Sequence, residues 1–469
     1  MKVAIIGAGS LVFCKTLMLD IMQIPGLDGV EFSLMAPTTR HTSCVKRHMD
    51  KVLALGKLSC PVSISVTTDR REALANADYV ICTFKIGGLR AYEADIEIPL
   101  KYGVDQCIGD TLGPGGVFRT LRTVPVMREV AAEMRELCPK ALMLNYVNPM
   151  ATCCWAVADE GVQVVGLCHG VQTTLELLAG YAGVPKDEID YTCAGINHMG
   201  WFIRLEHHGQ DLYPILRERI ERPEYYANEK VRGEMFRQFG YFMTESTGHL
   251  SEYLPYFRKN DRGMGLYCDE PDFGGETAAC LKWNRLLDRK YAADDRLANE
   301  PVELPPRSVE YCSYIIEALE KNRVFRFNGN LRNHGLIANL PDDCIAEVPI
   351  FADGAGLHPT YVGKLPTQLA ALNQSNISCQ RLAVEAALSG DPEAAVWACA
   401  LDPLTAARLT PDEIRAMVTE MLAAEAEWLP QFGGRLPRPT PRITVTPDVQ
   451  RVRVPLDPAL AISARLGSL

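Results

Sequence analysis

The sequence predicts an α/β protein whose N-terminal half folds into a doubly wound, mostly parallel sheet. Short apolar runs typical of buried strands alternate with segments of helical periodicity, an order that predicts parallel strands joined by right-handed crossovers. The expected strands cover residues 2–6, 30–35, 62–67, 79–84, 141–147 and 162–167, and the expected helices cover residues 70–77, residues 124–138 and a segment ending at Ile21.

The second half of the chain predicts an α/β domain of the α+β type. Helical periodicity marks residues 211–219, 229–239, 305–322, 365–388, 392–399 and 411–425, and residues 345–351 are strand-like. From Gly433 the chain is proline-rich and basic, which predicts an extended arm on a partner subunit or a partly disordered tail. The expected divisions are residues 1–195, 196–432 and 433–469.

Composition excludes several classes of protein. The 469 residues carry a formal net charge of −10 without a basic block, which argues against nucleic acid and anionic membranes as partners. No stretch approaches about 18 uninterrupted apolar residues, so no membrane span is expected. Sixteen scattered cysteines without a CxxC pair predict free thiols in a reducing, cytoplasmic setting.

The residues after the first strand carry a dinucleotide-binding signal. Gly7-x-Gly9 lies between a strand and a helix, where glycines allow a tight turn and a close approach of pyrophosphate to the helix N-terminus. We therefore expect Gly7, Gly9 and Ser10 to bind NAD, and the N-terminal domain to be of the Rossmann type. Val12 replaces the third glycine, so a glycine turn of another α/β protein is the alternative.

The end of the second strand leaves the choice of dinucleotide open. An acidic residue that binds the adenosine ribose is expected there, but the chain has Ala36 followed by Pro37. The small hydroxyl residues Thr38 and Thr39, followed by Arg40, are compatible with the 2′-phosphate of NADP. A loosely bound adenosine is the other interpretation.

Two metal-capable side chains follow apolar strands. Cys168 comes after the run that ends at Leu167, and His198 comes after the run that ends at Ile196. A thiolate with an imidazole favours a borderline or soft divalent ion. Taken alone, each residue is more typical of a protein core, but two such strand ends behind a cofactor fold favour a metal site. A metal beside a nicotinamide indicates redox chemistry on a hydroxyl group.

Three further segments could contact a ligand. Asp110 precedes a stretch too glycine-rich for an ordinary helix start, with Arg119 beyond it, and Asn148 closes a strand at the carboxyl edge of the predicted sheet. Residues 244–253 gather proton-transfer groups that include His249. We expect Arg119, Asn148 and His249 to bind substrate. The alternatives are a capped surface turn, a turn before proline and an ordinary polar helix face.

Together these motifs resemble family-4 glycoside hydrolases, the NAD- and metal-dependent glycosidases. The resemblance is carried by residues 7–10, 110–116, 145–150, 166–171 and 195–199, and it extends from the first residue to about residue 430. Within the family the chain is most similar to melibiase-type α-galactosidases, through residues 112–116 and 244–246. The resemblance implies a glycoside substrate and a homodimer or homotetramer.

The resemblance also assigns roles to residues of the site. Cys168 and His198 match the Mn²⁺ ligands, Asn148 matches a residue that contacts the sugar, and residues 196–432 would complete the substrate and metal site. Manganese prefers oxygen ligands, so the thiolate of Cys168 is a soft partner for a hard ion. Substrate hydroxyls and waters would then have to supply the hard ligands.

Three residues receive catalytic roles from the resemblance. His169 would be the general acid, Tyr253 the base, and Asp110 the acidic group that raises the basicity of the tyrosine. The implied reaction is oxidation of the sugar at C3 by NAD, removal of the C2 proton, elimination of the aglycone, addition of water and re-reduction. The pair His169-Gly170 argues against a 6-phosphorylated sugar.

The sequence leaves three alternatives to an α-galactosidase. The same mechanism could act on an α-glucoside or an α-galacturonide, and a uronide would need a cation, for which Arg90, Arg119, Arg258 and Arg262 are candidates. A 2-hydroxy-acid dehydrogenase of the lactate or malate type shares the predicted fold but needs no metal. A non-catalytic nucleotide-binding or redox-sensing protein is the third.

Overall fold

The computed structural model describes residues 1–9, 13–58, 60–268, 275–292 and 301–450, together with residues 452 and 466. The chain divides into two compact units, residues 1–437 and residues 438–469. In the second unit, residues 438–450 are exposed and form neither helix nor strand. Within the described part of the chain, no helix is both long and apolar enough to cross a membrane.

The first unit alternates strands and helices along its N-terminal half. The strands are β1 (Lys2–Ile6), β2 (Val30–Met35), β3 (Val62–Thr67), β4 (Tyr79–Cys82), β5 (Leu142–Asn145), β6 (Val164–Gly166), β7 (Ile189–Ile196), β8 (Met199–His207), β9 (Gln210–Asp211), β10 (Phe325–Arg332), β11 (Ile345–Asp353) and β12 (Gly356–Pro359). The helices of the N-terminal half are α1 (Phe13–Met22), α2 (Thr39–Ala54), α3 (Arg70–Leu74), α4 (Gly88–Lys101), α5 (Gly113–Leu137), α6 (Met150–Asp159) and α7 (Gly170–Ala182).

The remaining helices belong to the C-terminal half of the unit. They are α8 (Tyr213–Ile220), α9 (Pro223–Tyr226), α10 (Lys230–Phe239), α11 (Thr247–Tyr253), α12 (Asp261–Tyr267), α13 (Ala279–Ala292), α14 (Tyr311–Lys321), α15 (Thr367–Ser389), α16 (Pro392–Leu401), α17 (Pro403–Arg408) and α18 (Pro411–Ala424).

One twelve-stranded sheet joins both halves of the described unit. Its first six strands are parallel in the order β3-β2-β1-β4-β5-β6, which is the order of a doubly wound dinucleotide-binding sheet. The sheet continues through the antiparallel strands β10-β11-β7-β8-β9, with β12 on β11. The predicted Rossmann-type fold class is therefore confirmed.

The strand pairings that join the two halves of the sheet are short. Gly166 at the end of β6 pairs with Asn330 in β10, and Glu347 in β11 pairs with Gly195 in β7. A Cβ on Gly166 would lie 2.5 Å from the Met150 sulfur, so a larger residue at this junction would have to displace the Met150 side chain. The division into residues 1–195 and 196–432 stays a prediction.

Most of the predicted elements coincide with observed ones. The strands predicted at residues 2–6, 30–35 and 62–67 are β1, β2 and β3 to the residue, and residues 345–351 fall within β11. The helix predicted at residues 124–138 is wrong at its start, because α5 begins at Gly113.

The glycine-rich stretch before residue 124 is the first turn of α5 and not a loop. A Cβ on Gly115 would lie 2.4 Å from the Gly109 carbonyl oxygen, and one on Gly116 would lie 2.3 Å from the Thr111 carbonyl carbon. The helix start therefore packs against the preceding loop too closely for any side chain. Close packing, rather than turn conformation, explains these glycines.

A buried ion triad ties the N-terminal half to the end of α18. Arg122 of α5 bonds both carboxylate oxygens of Asp95 on α4, and it also contacts Glu425, which caps α18. All three side chains are fully buried. Removal of one member of such a group leaves an uncompensated buried charge.

We expect Arg122→Met to lower the free energy of unfolding by about 3–5 kcal/mol, because it leaves Asp95 and Glu425 buried without a cation. Urea unfolding followed by circular dichroism measures the loss. The control is Arg237→Met, since the ion pairs of Arg237 with Glu221 and Glu234 are partly exposed and such pairs contribute under about 1 kcal/mol. Equal losses in the two variants would contradict this account of the triad.

Candidate active site

The predicted metal ligands meet at the carboxyl edge of the sheet. Cys168 follows β6, and α7 begins two residues later at Gly170. His198 lies in the two-residue loop between β7 and β8, where Ile196 pairs with Met199. The His198 backbone has a φ of 63°, a left-handed conformation that is uncommon for residues other than glycine and is found mostly at turns and functional sites.

A third potential ligand, Glu245, joins these two residues. Its Oε1 atom lies 3.8 Å from Cys168 Sγ and 3.6 Å from His198 Nε2. One donor atom from each of the three residues lies within 4.8 Å of the others. Thiol, imidazole and carboxylate together form a donor set suited to a divalent transition-metal ion.

Burial sets the protonation of the two predicted ligands. Burial, and then the Glu245 carboxylate, raises the pKa of the Cys168 thiol well above its usual range. Burial also lowers the pKa of His198, which outweighs the opposing effect of Glu245 and favours the neutral imidazole that binds metal ions. A cation at this cluster would therefore displace the proton from the thiol.

The predicted base lies directly behind the metal-ligand candidate His198. The Tyr253 hydroxyl is 3.0 Å from His198 Nδ1, while the opposite ring nitrogen faces Glu245. Tyr253 is only 1% exposed. Burial, and then the charge of Asp110, raises the pKa of the phenol well above its usual value. The phenol is thus placed to orient the imidazole and to exchange a proton with it.

Asp110, Arg119 and Asn148 form a second cluster beside the first. Asp110 Oδ2 lies 3.4 Å from Arg119 NH1 and 3.5 Å from Asn148 Nδ2, and the Arg119 Nε donates to the Asn148 carbonyl at 3.1 Å. Burial would raise the pKa of Asp110, but Arg119 and then His249 outweigh it and hold that pKa below its usual value. The structure therefore brings all three residues together in one hydrogen-bonded, mostly buried group.

His249 bridges the two clusters. Its Nδ1 lies 2.9 Å from Glu245 Oε2, and its Nε2 lies 3.9 Å from Asp110 Oδ1. Burial would lower the pKa of His249, but these two carboxylates, with Glu245 the stronger, raise it to about 9. The side chain is about one-fifth exposed, so it can meet a ligand at the site.

Helix α11 and the loop that carries Asp110 are held together by Glu252. This fully buried carboxylate accepts hydrogen bonds from the backbone N–H groups of Ile108 and Gly109, the latter at 2.8 Å. No motif in the sequence singled out Glu252, and none indicated a metal role for Glu245. The sequence within residues 244–253 signalled proton-transfer groups, but it did not show which of them reach residues far away in the chain.

The predicted acid, His169, stands apart from these contacts. Its side chain is 58% exposed, and its Nδ1 lies 3.7 Å from Glu310 Oε1, at the start of α14. It follows Cys168 directly and precedes α7. Its exposed position leaves it free to meet the outer part of a ligand bound at the cluster.

The predicted dinucleotide turn lies at the same edge of the sheet. Gly7 has a φ of 91°, and a Cβ there would lie 2.6 Å from the Phe84 Cβ, so glycine is required. The N–H groups of Gly7 and Ala8 donate to the Met35 carbonyl and fold the turn over the end of β2. Ser10, the third predicted cofactor residue, lies outside the described residues. Ala36 is buried and offers no carboxylate at the end of β2.

Family models place the whole of this arrangement in one enzyme family. The model "Family 4 glycosyl hydrolase" matches residues 2–184, and "Family 4 glycosyl hydrolase C-terminal domain" matches residues 193–405. The chain therefore belongs to glycosyl hydrolase family 4, and it is a glycosidase.

Three relatives of known activity are similar to nearly the whole chain. The chain is 41% identical over 440 residues to an α-galactosidase of Rhizobium meliloti, covering 92% of this chain and 89% of the relative. It is 39% identical over 442 residues to an α-galactosidase of Bacillus subtilis, covering 92% and 99%. An α-galacturonidase of Lachnoclostridium phytofermentans is 29% identical over 467 residues, covering 92% and 97%.

Solved structures show the same fold. A putative glucosidase of Bacillus subtilis superposes with a TM-score of 0.77 at 26% identity, covering 90% of this chain and 99% of that one. A 6-phospho-β-glucosidase of Thermotoga maritima, solved with manganese, NAD⁺ and glucose-6-phosphate, superposes with a TM-score of 0.73 at 23% identity, covering 91% and 99%.

The His249–Glu245 pair predicts a pH-dependent stability of the metal-free protein. Because folding raises the pKa of His249 from 6.5 to about 9, its stabilisation is complete below about pH 6.5 and is lost as the pH rises through about 9. We expect the melting temperature of the unsubstituted chain to exceed that of His249→Gln at pH 6, with a difference that shrinks towards pH 10. His358→Gln, which removes a largely exposed pair with Asp353, serves as control and should have little effect at any pH. A constant difference for His249→Gln would overturn this account.

Proposed function

We propose that the chain hydrolyses α-galactosides, using NAD and Mn²⁺. The single observation that carries this proposal is the joined cluster of Cys168, His198 and Glu245 beside Asp110 and Asn148, at the carboxyl edge of a dinucleotide-type sheet. The activity named for the two relatives with 41% and 39% identity supports the choice of an α-galactoside.

The residues present fit both cofactors. Gly7 and Gly9 lie in the turn that would hold the pyrophosphate of NAD, and the Cys168 thiol and the His198 imidazole would hold the cation. When bound, NAD would accept and return the hydride of the sugar C3, and the cation would supply positive charge that stabilises negative charge on the sugar.

The side chains around the cluster divide the remaining work. Asn148 and Arg119 bind sugar hydroxyls, and Asp110 holds their side chains in place through its Oδ2 atom. Tyr253 takes the C2 proton, and its phenolate would be stabilised by the positive charge of a cation held by Cys168 and His198. His169, exposed beside Glu310, gives a proton to the departing glycosidic oxygen.

An uncharged sugar fits this site better than a uronide. A uronide carboxylate requires a cation, and three of the four arginines considered for that role already face carboxylates. Arg119 faces Asp110, Arg258 binds Asp105, and Arg90 pairs with Glu427. The pairing of Arg119 in particular leaves its charge balanced within the site.

The state of the cysteines supports the proposed cytoplasmic location. All sixteen cysteines are free, and Cys168 is one of two that are partly exposed. A thiol ligand in that position needs a reducing environment to stay competent. The homodimer or homotetramer stays a prediction that size-exclusion chromatography with light scattering would test.

We expect 4-nitrophenyl α-galactoside to be cleaved faster than the α-glucoside or the α-galacturonide, in the presence of NAD⁺, Mn²⁺ and thiol. Parallel assays with NADP⁺ determine whether the protein uses NAD or NADP, a choice left open because Ala36 replaces the acidic residue that binds the adenosine ribose. Because the hydride returns to the sugar, absorbance at 340 nm should show no net NADH.

Isotope exchange tests the mechanism itself. A substrate deuterated at C2 should lose its label to solvent during turnover, because the C2 proton is removed and replaced. Full retention of deuterium would exclude this mechanism. Steady NADH production from a 2-hydroxy acid would instead favour a dehydrogenase.

Tyr253→Phe separates proton transfer from metal positioning. We expect the variant to lose at least about a hundredfold in kcat and in C2 exchange, while it keeps bound Mn²⁺, because the phenylalanine ring retains the stacking contact with His198. Mass spectrometry of the released sugar measures C2 exchange, and metal analysis of the same sample measures bound Mn²⁺. Weaker Mn²⁺ binding with undiminished C2 exchange per bound ion would restrict Tyr253 to orientation of the imidazole.

A further inference from the structure

We propose that Glu245 is a third protein ligand of the cation, together with Cys168 and His198. This inference rests on the proposed function, since it concerns the same metal. It also goes beyond it, because it assigns to a carboxylate of this chain a role in holding the ion and in setting which ion is held. Four independent features of the structure support it.

The first feature is the separation of the donor atoms. Ligand bonds of about 2.0–2.3 Å place neighbouring donor atoms about 2.8–3.3 Å apart at the right angles of an octahedral ion, and about 3.3–3.7 Å apart at tetrahedral angles. Glu245 Oε1 lies 3.6 Å from His198 Nε2 and 3.8 Å from Cys168 Sγ. The carboxylate is therefore already close to the distances required of a ligand.

The second feature is the way the backbone delivers Glu245. Thr244 is clamped to the hairpin that carries His198: its N–H donates to the Gly200 carbonyl at 2.9 Å, and its hydroxyl accepts from the Gly200 N–H at 3.0 Å. The next residue, Glu245, has a φ of 75°, and Ser246 then caps α11. The hairpin thus fixes Glu245 and His198 relative to each other.

The third feature is the division of labour between the two carboxylate oxygens. Oε2 lies 2.9 Å from His249 Nδ1, four residues further along the chain, while Oε1 faces Cys168 and His198. A ligating carboxylate whose second oxygen is held by an outer hydrogen bond keeps a fixed orientation. His249 is therefore a positioning residue for Glu245.

The fourth feature is the space that Gly170 leaves for the carboxylate. A Cβ on Gly170 would lie 2.5 Å from Glu245 Oε1 but 3.5 Å from Cys168 Sγ. Any side chain at residue 170 would therefore displace the carboxylate and leave the thiol in ordinary contact. Gly170 does not have a positive φ, so a turn conformation does not account for the glycine.

The chemistry of Mn²⁺ gives this ligand a purpose. Manganese binds oxygen donors in preference to sulfur, and a site of thiolate and imidazole alone suits softer ions. A carboxylate adds a hard oxygen, and with the thiolate it balances the double positive charge of the ion. Mn²⁺ favours six-coordinate, octahedral sites, so three protein ligands still leave coordination positions for two sugar oxygens.

Titration of the metal-free protein with Mn²⁺, followed by the EPR signal of the free ion and without substrate, tests the inference. We expect Glu245→Gln to raise the Kd for Mn²⁺ at least about tenfold. Gly170→Ala keeps the charge of Glu245 but blocks its position, and it should raise the Kd by a comparable factor. Melting curves of each variant verify folding.

Two further variants serve as controls. Glu188→Gln disrupts an exposed cluster with His207 and His208 that could take up metal adventitiously, and it should leave the tight Kd unchanged. Cys168→Ser should abolish tight binding.

Each outcome decides a separate question. An unchanged Kd in both Glu245→Gln and Gly170→Ala would overturn the assignment of Glu245. A raised Kd in Glu245→Gln with an unchanged Kd in Gly170→Ala would reduce Glu245 to a charge near the ion, which also overturns it. An unchanged Kd in Cys168→Ser would instead contradict the metal site of the proposed function.

Discussion

The site depends on one constraint: the antiparallel strands of the C-terminal half pair with the last parallel strand and so extend the same sheet. Gly166 pairs with Asn330, and Glu347 pairs with Gly195, so the tip of the β7–β8 hairpin arrives beside the end of β6. This junction brings His198 to Cys168. Without it, each residue would be an ordinary strand-end side chain in a separate layer.

Alternating charge then organises the residues around the junction. Glu245, His249, Asp110 and Arg119 follow one another as acid, base, acid and base, with each neighbouring pair separated by 2.9–3.9 Å. The neighbouring cationic groups keep the carboxylates of Glu245 and Asp110 ionised, whereas burial without such neighbours favours a protonated carboxyl group. The row also couples the metal cluster to the residues proposed to bind sugar, because His249 contacts a member of each.

The sequence predicted the parallel sheet well, since β1 is an apolar run before a glycine turn and β2 is mostly buried. The sequence did not predict the first turns of α5, because glycines required for close packing in a helix cannot be told from glycines required for turns by sequence alone. It found Cys168, His198 and Asp110 by their strand ends and family motifs. It gave no role to Glu245, because no local pattern shows that this residue lies beside a side chain 77 positions earlier.

The central claim is that Cys168, His198 and Glu245 hold a divalent cation at the edge of the dinucleotide-binding sheet. A crystal grown with Mn²⁺ and NAD⁺, measured on both sides of the manganese absorption edge, tests it most directly. The account predicts an anomalous peak within about 2.0–2.4 Å of Cys168 Sγ, His198 Nε2 and Glu245 Oε1. A peak confined to the exposed cluster of Glu188, His207 and His208, with none at Cys168, would contradict it.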